Sequence, residues 1–165
     1  IFVQDMIIKT EFKERSLILC LDQVTDPHNV GAIIRSASAF GADGLIMQRR
    51  HSPALSGVLL KTACGGTEHL PVAYETNLSR ALEALKQSGH VIAGLDERGD
   101  TLPKNNDDAP KKLVLVLGAE GKGLRPSVTE MCDIVYRLPT HGAIQSLNVS
   151  NAAAVALYAF CPHID

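Results

Sequence analysis

Tryptophan is absent, and four phenylalanines and three tyrosines supply all the aromatic rings in 165 residues. Few platforms are therefore available for stacking an unpaired base. No apolar run approaches the ~20 residues that a membrane-spanning helix needs, and no basic-then-apolar leader is present. The chain starts at Ile1 with no initiator methionine, which leads to the expectation of a missing N-terminal neighbour. A basic excess is lacking too: 16 Lys and Arg against 18 Asp and Glu give a net charge of −2. Global charge thus argues against a phosphate-binding surface. The four cysteines form no CxxC pair, and the six histidines stand singly with no ligand spacing. Buried free thiols in a reducing, cytoplasmic setting and no metal site are the expectations.

Hydrophobic residues make up 45% and charged residues 21% of the chain, enough for one domain with a real core. Local basic clusters interrupt the acidic balance: Lys9/Lys13/Arg15, Arg49/Arg50/His51, Lys111/Lys112 and Lys122/Arg125. Each reads equally well as a solvated face or as a contact for an anionic partner.

Short apolar runs at Ser16–Asp22, Gly44–Met47, Leu70–Tyr74, Val91–Leu95, Leu113–Leu117 and Ile134–Leu138 predict strands. Helical spacing predicts helices over Val30–Phe40, capped by Asn29, and over Ala54–Cys64. Further helices are expected over Leu78–Gln87, capped by Asn77, from Pro126 to about Cys132, and from Leu147 to Phe160. The polar stretch Asp96–Lys112 reads as a loop. Strands alternating with helices give an α/β fold with a mainly parallel sheet flanked by helices.

Ligands of open α/β sheets sit beyond the carboxyl ends of the strands, and three such ends carry unusual sequence. After the first strand come Asn29, Gly31 and Arg35. At ~100° per residue Asn29 and Arg35 lie about 240° apart around one helix, so Asn29 works at its tip and Arg35 projects from its middle. A surface salt bridge is the alternative use of Arg35. After the fifth strand, Gly118-Ala-Glu120-Gly121-Lys122-Gly123 lets backbone approach a ligand closely. Its order is neither GxGxxG nor a Walker GK[ST], which weighs against a Rossmann dehydrogenase or a nucleoside triphosphatase. After the sixth strand comes Pro139-x-x-Gly142-x-x-x-Ser146-Leu147-Asn148-Val149-Ser150. Ser146 there is either a helix cap or a ligand contact. Asn148 has no propensity reason to stand in a first helical turn.

In order and composition these segments resemble the three signature motifs of the SpoU (TrmH-like) RNA ribose 2′-O-methyltransferases of the SPOUT class, from about Leu17 to Tyr158. Asn29, Gly31 and Arg35 read N-x-G-x-x-x-R in this chain. Gly118, Glu120 and Gly123 read G-x-E-x-x-G, and Pro139 to Ser150 match the third motif. Ala63–Glu68 with Asn77-Leu78 is similar to members that methylate a guanosine of 23S rRNA. The resemblance implies a deep C-terminal trefoil knot, a homodimer with its site at the subunit interface, S-adenosylmethionine as cofactor and RNA (rRNA or tRNA) as partner. It implies cofactor binding by Leu117, Gly118, Glu120, Leu138, Ser146 and Leu147. It also implies catalytic roles for Arg35, Asn29, Glu120, Ser146 and Asn148. A tRNA ribose methyltransferase and a non-catalytic RNA-binding or ribosome-assembly module are the competing expectations.

Overall fold

The structure, a computed structural model, describes residues 1–104, 106–119 and 121–161. In chain order its elements are α1 (Val3–Thr10), β1 (Ser16–Asp22), α2 (Pro27–Ala39), β2 (Gly44–Gln48), α3 (Val58–Ala63), α4 (Gly66–His69) and β3 (Val72–Glu75). There follow α5 (Leu78–Gln87), β4 (Val91–Thr101), a 3₁₀ turn (Asn106–Asp108), β5 (Lys112–Gly118), α6 (Pro126–Thr129), β6 (Ile134–Arg137) and α7 (Val149–Phe160). The strands form one six-stranded sheet in the order β3-β2-β1-β5-β4-β6, and every pairing is parallel.

The central strands β1 and β5 are almost wholly apolar because helices cover both faces. On one face Leu17, Leu19 and Leu21 of β1 pack with Ile33, Ile34 and Ala37 of α2 and with Ala153, Ala156 and Leu157 of α7. On the other, Ile18 and Cys20 pack with Met6 of α1, Leu82 and Leu85 of α5 and Val128 of α6. All seven residues of β1 are buried, as befits a central strand.

Several element ends differ from the expectation, each for a local reason. α2 begins at Pro27, because proline is pre-set for a first helical turn and the Asp26 carboxylate accepts from His28 N at 2.9 Å. Asn29 therefore lies inside the helix and does not cap it. α7 begins at Val149 and its cap is Asn148, whose Oδ1 accepts from Ser150 N at 2.9 Å. The cap position explains the asparagine that helix propensity could not, and Ser146 lies outside the helix. α3 and α6 are shorter than their patterns, and β3 starts at Val72. β6 ends at Arg137, which leaves Leu138 in the following loop. β4 runs on to Thr101 through residues expected to be loop. Its pairing with β6 breaks between Leu95 and Asp100, so Asp96, Glu97, Arg98 and Gly99 bulge out before the ladder resumes. α1 was not foreseen. It is held by Met6, fully buried against Gly44, where a Cβ would stand 2.7 Å from the Met6 sulfur.

Candidate active site

The bulged half of β4 and the loops that follow β5 and β6 enclose a cleft of about 760 Å³, within the usual range for small-molecule sites. Its apolar lining comes from Leu95, Leu117, Leu138, Leu147 and Val149, and its polar lining includes Asp96, Arg98, Lys122, Arg137, His141 and Ser146.

The floor is a tight hairpin. Gly123 N donates to the Ala119 carbonyl at 2.9 Å, and Ala119 and Gly123 bridge as an antiparallel pair. The turn closes directly on Gly118, where an added Cβ would lie 2.2 Å from the Gly123 carbonyl oxygen. Gly121 at φ 76° and Gly123 at φ 65° supply the left-handed backbone of the turn. The third wall, residues 138–148, is mostly exposed and is braced by Thr140 Oγ1 donating to the Gln145 carbonyl at 3.3 Å.

Of the expected cofactor residues, Leu117, Gly118, Leu138, Ser146 and Leu147 all line this cleft. Glu120 lies outside the described residues. Asn29, Arg35 and Asn148 do not line it. Arg35 is exposed on α2, and its guanidinium makes no hydrogen bond or ion pair among the described residues, so the surface salt bridge considered for it is not formed there. Its backbone is shielded by Gly66, where a Cβ would come within 3.3 Å of the Arg35 Cα. α2 packs against α7, so the arginine helix rests on the helix that Asn148 caps.

Sequence reading missed the β4 bulge. Asp96 is nearly buried, and Arg98 grips it through Nε at 3.0 Å and Nη2 at 3.1 Å. The Arg98 hydrogen bond is the main cause holding the Asp96 carboxyl below its ordinary range. The available signal was a pair of opposite charges two residues apart just beyond a strand end. A second missed pair joins Asp22, at the end of β1, to Arg125. Arg125 Nε donates to Oδ1 at 2.7 Å and its backbone N to Oδ2 at 2.9 Å.

Much of the local basic charge is engaged in the fold. Lys13 pairs with Asp43, Lys111 with Glu14 at 3.1 Å, and Lys112 donates to the carbonyls of Thr10 and Glu11. Arg49 donates to the Tyr74 carbonyl at 3.1 Å. Among the described residues no disulfide joins the four cysteines. Cys20 and Cys161 are buried, whereas Cys64, expected to be buried, is exposed at the end of α3. Burial raises the Cys132 thiol to about 11.

A model of the SpoU rRNA Methylase family matches residues 16–158. Over 158 residues the chain is 40% identical to a 23S rRNA (guanosine-2′-O-)-methyltransferase of Pseudomonas putida, covering 96% of this chain and 62% of that protein. Its Pseudomonas aeruginosa counterpart is 44% identical over 153 residues, covering 90% and 61%. The chain spans between 40% and 62% of the length of its curated relatives. Among solved structures it is similar to the SpoU methyltransferase AviRb from Streptomyces viridochromogenes in complex with AdoMet. That match has a TM-score of 0.77 at 31% identity and covers 90% of this chain and 58% of that one. A structure described as giving insights into the 2-OH methylation of C/U34 on tRNA matches with a TM-score of 0.75 at 27% identity, covering 89% and 95%.

Proposed function

Because the chain belongs to the SpoU rRNA methylase family, we propose that it is the catalytic domain of an S-adenosylmethionine-dependent RNA ribose 2′-O-methyltransferase acting on a guanosine of 23S rRNA. The observation that carries the reading is the cleft. Five residues expected to bind the cofactor, drawn from two separate sequence motifs, converge on one cavity at the strand ends. The lining suits an adenosine-bearing molecule: leucine side chains for the flat base, with the Gly118 and Ala119 backbone and the Ser146 hydroxyl for its polar edges. The relatives named for 23S rRNA guanosine support the substrate. The structural match named for tRNA keeps tRNA ribose methylation as the second reading.

When bound, S-adenosylmethionine supplies a methyl group already activated on a sulfonium. What is left to the protein is to align the ribose 2′-oxygen with that methyl and to help its proton leave. A guanidinium is poorly matched to general-base work, so Arg35 is assigned another role. Its role is to grip the phosphate beside the target ribose and stabilise the developing alkoxide. Glu120 is the candidate proton acceptor, while Asn29 and Asn148 hold the ends of the loops.

A homodimer with a trefoil-knotted C-terminal segment belongs to the same proposal. Its support is an apolar strip left exposed around α7, including Ile144 at 78% and Tyr158 at 62%. Recognition of the RNA is shared with the remainder of a longer polypeptide working in the cytoplasm. Isothermal calorimetry with S-adenosylhomocysteine, with the solution mass recorded, tests the site. Binding by a dimer, followed by 2′-O-methyl transfer to 23S rRNA, is the expected result. A folded dimer that binds no S-adenosylhomocysteine would point to the non-catalytic RNA-binding reading, and transfer only to tRNA would point to the second substrate.

A further inference from the structure

Asp22 is fully buried, the one acidic group in a strand that is otherwise serine, leucine, isoleucine and cysteine. A carboxylate withdrawn from water needs partners to be tolerated, and among the described residues both its hydrogen bonds come from one residue, Arg125, through guanidinium and backbone. The Arg125 side chain is 35% exposed, so the pair is buried on the Asp22 side and open to solvent on the other.

Position gives this pair its meaning. In the sheet Asp22 is the register partner of Gly118, the residue at which the chain enters the glycine-rich hairpin. Arg125 is the residue at which the chain leaves it. Both ends of residues 119–124 are therefore tied to one side chain and its own backbone: the entry by strand pairing, the exit by the ion pair. Among its described residues the hairpin between them is otherwise held by the Gly123 N bond to the Ala119 carbonyl. Three of its residues from Gly118 to Gly123 are glycine, and among its described residues only Leu124 is buried, packed over Gly94. Left alone, such a segment would have high conformational entropy.

Beyond Asp22 the chain turns through Gln23, held at φ 60°, buries Val24, and enters α2 through the Asp26 cap. The same side chain thus stands between the cofactor floor and the start of the helix carrying Asn29 and Arg35.

We infer that Asp22 and Arg125 are positioning residues for the proposed methyl transfer, a buried pin that holds the glycine-rich floor of the cleft in its cofactor-binding shape. The inference rests on the proposed cofactor reading of the cleft. The pair touches neither cofactor nor RNA and acts through the placement of Gly118 to Gly123.

Three variants of the full chain test it: R125Q, which removes the charge but keeps the backbone donor, R125K, and M6A as a destabilised control. Met6 lies against Gly44, at the start of β2 and so at the opposite end of the sheet from the cleft. Two readouts are taken well below each melting temperature. One is amide hydrogen exchange of residues 118–124 without ligand, and the other is S-adenosylhomocysteine affinity by calorimetry. R125Q is expected to speed exchange in that segment at least tenfold and to weaken affinity at least tenfold. R125K recovers part of both, and turnover at saturating cofactor changes less than threefold. M6A leaves the segment and the affinity unchanged despite an equal or larger loss of melting temperature. Unchanged exchange in R125Q overturns the pin, as does equal weakening of affinity in M6A. A wild type that binds no S-adenosylhomocysteine overturns the cofactor reading and the positioning role with it. A wild type that binds, matched by an R125Q that binds equally well, overturns the positioning role alone.

Discussion

Replacing Gly118 by alanine places one methyl group where the structure has no room for it. The new Cβ would stand 2.2 Å from the Gly123 carbonyl oxygen, 2.3 Å from its carbon and 2.7 Å from Leu124 N, all of them backbone. Ordinary contact begins near 3.4 Å, so the hairpin must retreat by about 1 Å, and no side-chain rotation can relieve it. Overpacking of this kind costs ~1–3 kcal/mol, and the rigidity of the opposing atoms places Gly118→Ala near the upper end. For a chain of this length each kcal/mol lowers the melting temperature by roughly 2–4 °C, so a fall of about 6–12 °C is expected. The moved hairpin is the floor of the cleft, and a misplacement of ~1 Å can cost on the order of 100-fold in function. Gly121→Ala is the control: its φ of 76° makes it strained, yet nothing lies within 4 Å of its Cβ. It should cost about 1 kcal/mol and keep S-adenosylhomocysteine affinity within tenfold. Urea melts with constant m-value and calorimetry on both variants decide the matter. A Gly118→Ala protein with wild-type affinity would refute the assignment of this hairpin to the cofactor.

Arg35→Ala should leave stability within ~0.5 kcal/mol, since the side chain is exposed and makes no described polar contact, while methyl transfer falls at least ~100-fold. Near-normal turnover in Arg35→Lys would remove the bidentate phosphate grip from the account. Asn148→Ala should lower stability by about 1 kcal/mol through loss of the α7 cap. Asn148→Asp caps equally well, so any fall in its turnover at unchanged melting temperature isolates a chemical role. His90 is buried with Ser16 Oγ 2.9 Å from Nε2 and Ser88 Oγ 3.0 Å from Nδ1. Burial lowers its pKa, Lys112 adds to the effect, and the Leu85 backbone and Asp43 oppose it. The unfolded chain then binds the proton more readily than the folded one, so the stabilisation is complete above the ordinary value of 6.5 and is lost as pH falls through the lowered one. Urea midpoints measured from pH 7.5 to 5 should fall more steeply in wild type than in His90→Gln, and parallel curves would refute the assignment.

What the sequence made legible was whatever a short window contains. The strands of the sheet read clearly because helices on both faces force unbroken apolar runs, as in Leu113–Leu117. The α5 helix read correctly to its cap, because Asn77 and the leucine stripe lie within a dozen residues of each other. Where a cap was decided by competition between neighbours, reading failed: Asp26 with Pro27 outbid Asn29, and Asn148 took the cap that Ser146 seemed placed to provide. The β4 bulge was unreadable because Asp96 to Gly99 carry no apolar period. The strand continues past them only because β6 resumes pairing at Asp100 and Thr101.

The site divides along the same line. Leu117, Gly118, Leu138, Ser146 and Leu147 line one cleft because motif order along the chain survives as convergence at the strand ends. Asp22 was passed over as the polar stop of a strand, and Arg125 as part of a basic surface cluster. Their bond spans 103 positions, and no local pattern relates an aspartate closing one strand to an arginine leaving the loop after another. Parallel register supplies the relation: once β1 and β5 pair, Asp22 must stand beside Gly118, and any loop leaving Gly118 and returning toward α6 passes that carboxylate. A charged residue ending a wholly buried strand is therefore a sign that something from the neighbouring strand's loop comes back to meet it. The separation of Arg35 from the cleft follows from topology too. β1 leads into α2, whereas the cleft is walled by the β4 bulge and the loops after β5 and β6, so within one copy the two are carried by different elements. A reaction that needs both must bring the RNA, a second copy, or both to join them, and this is why the dimer and the substrate belong to the same proposal.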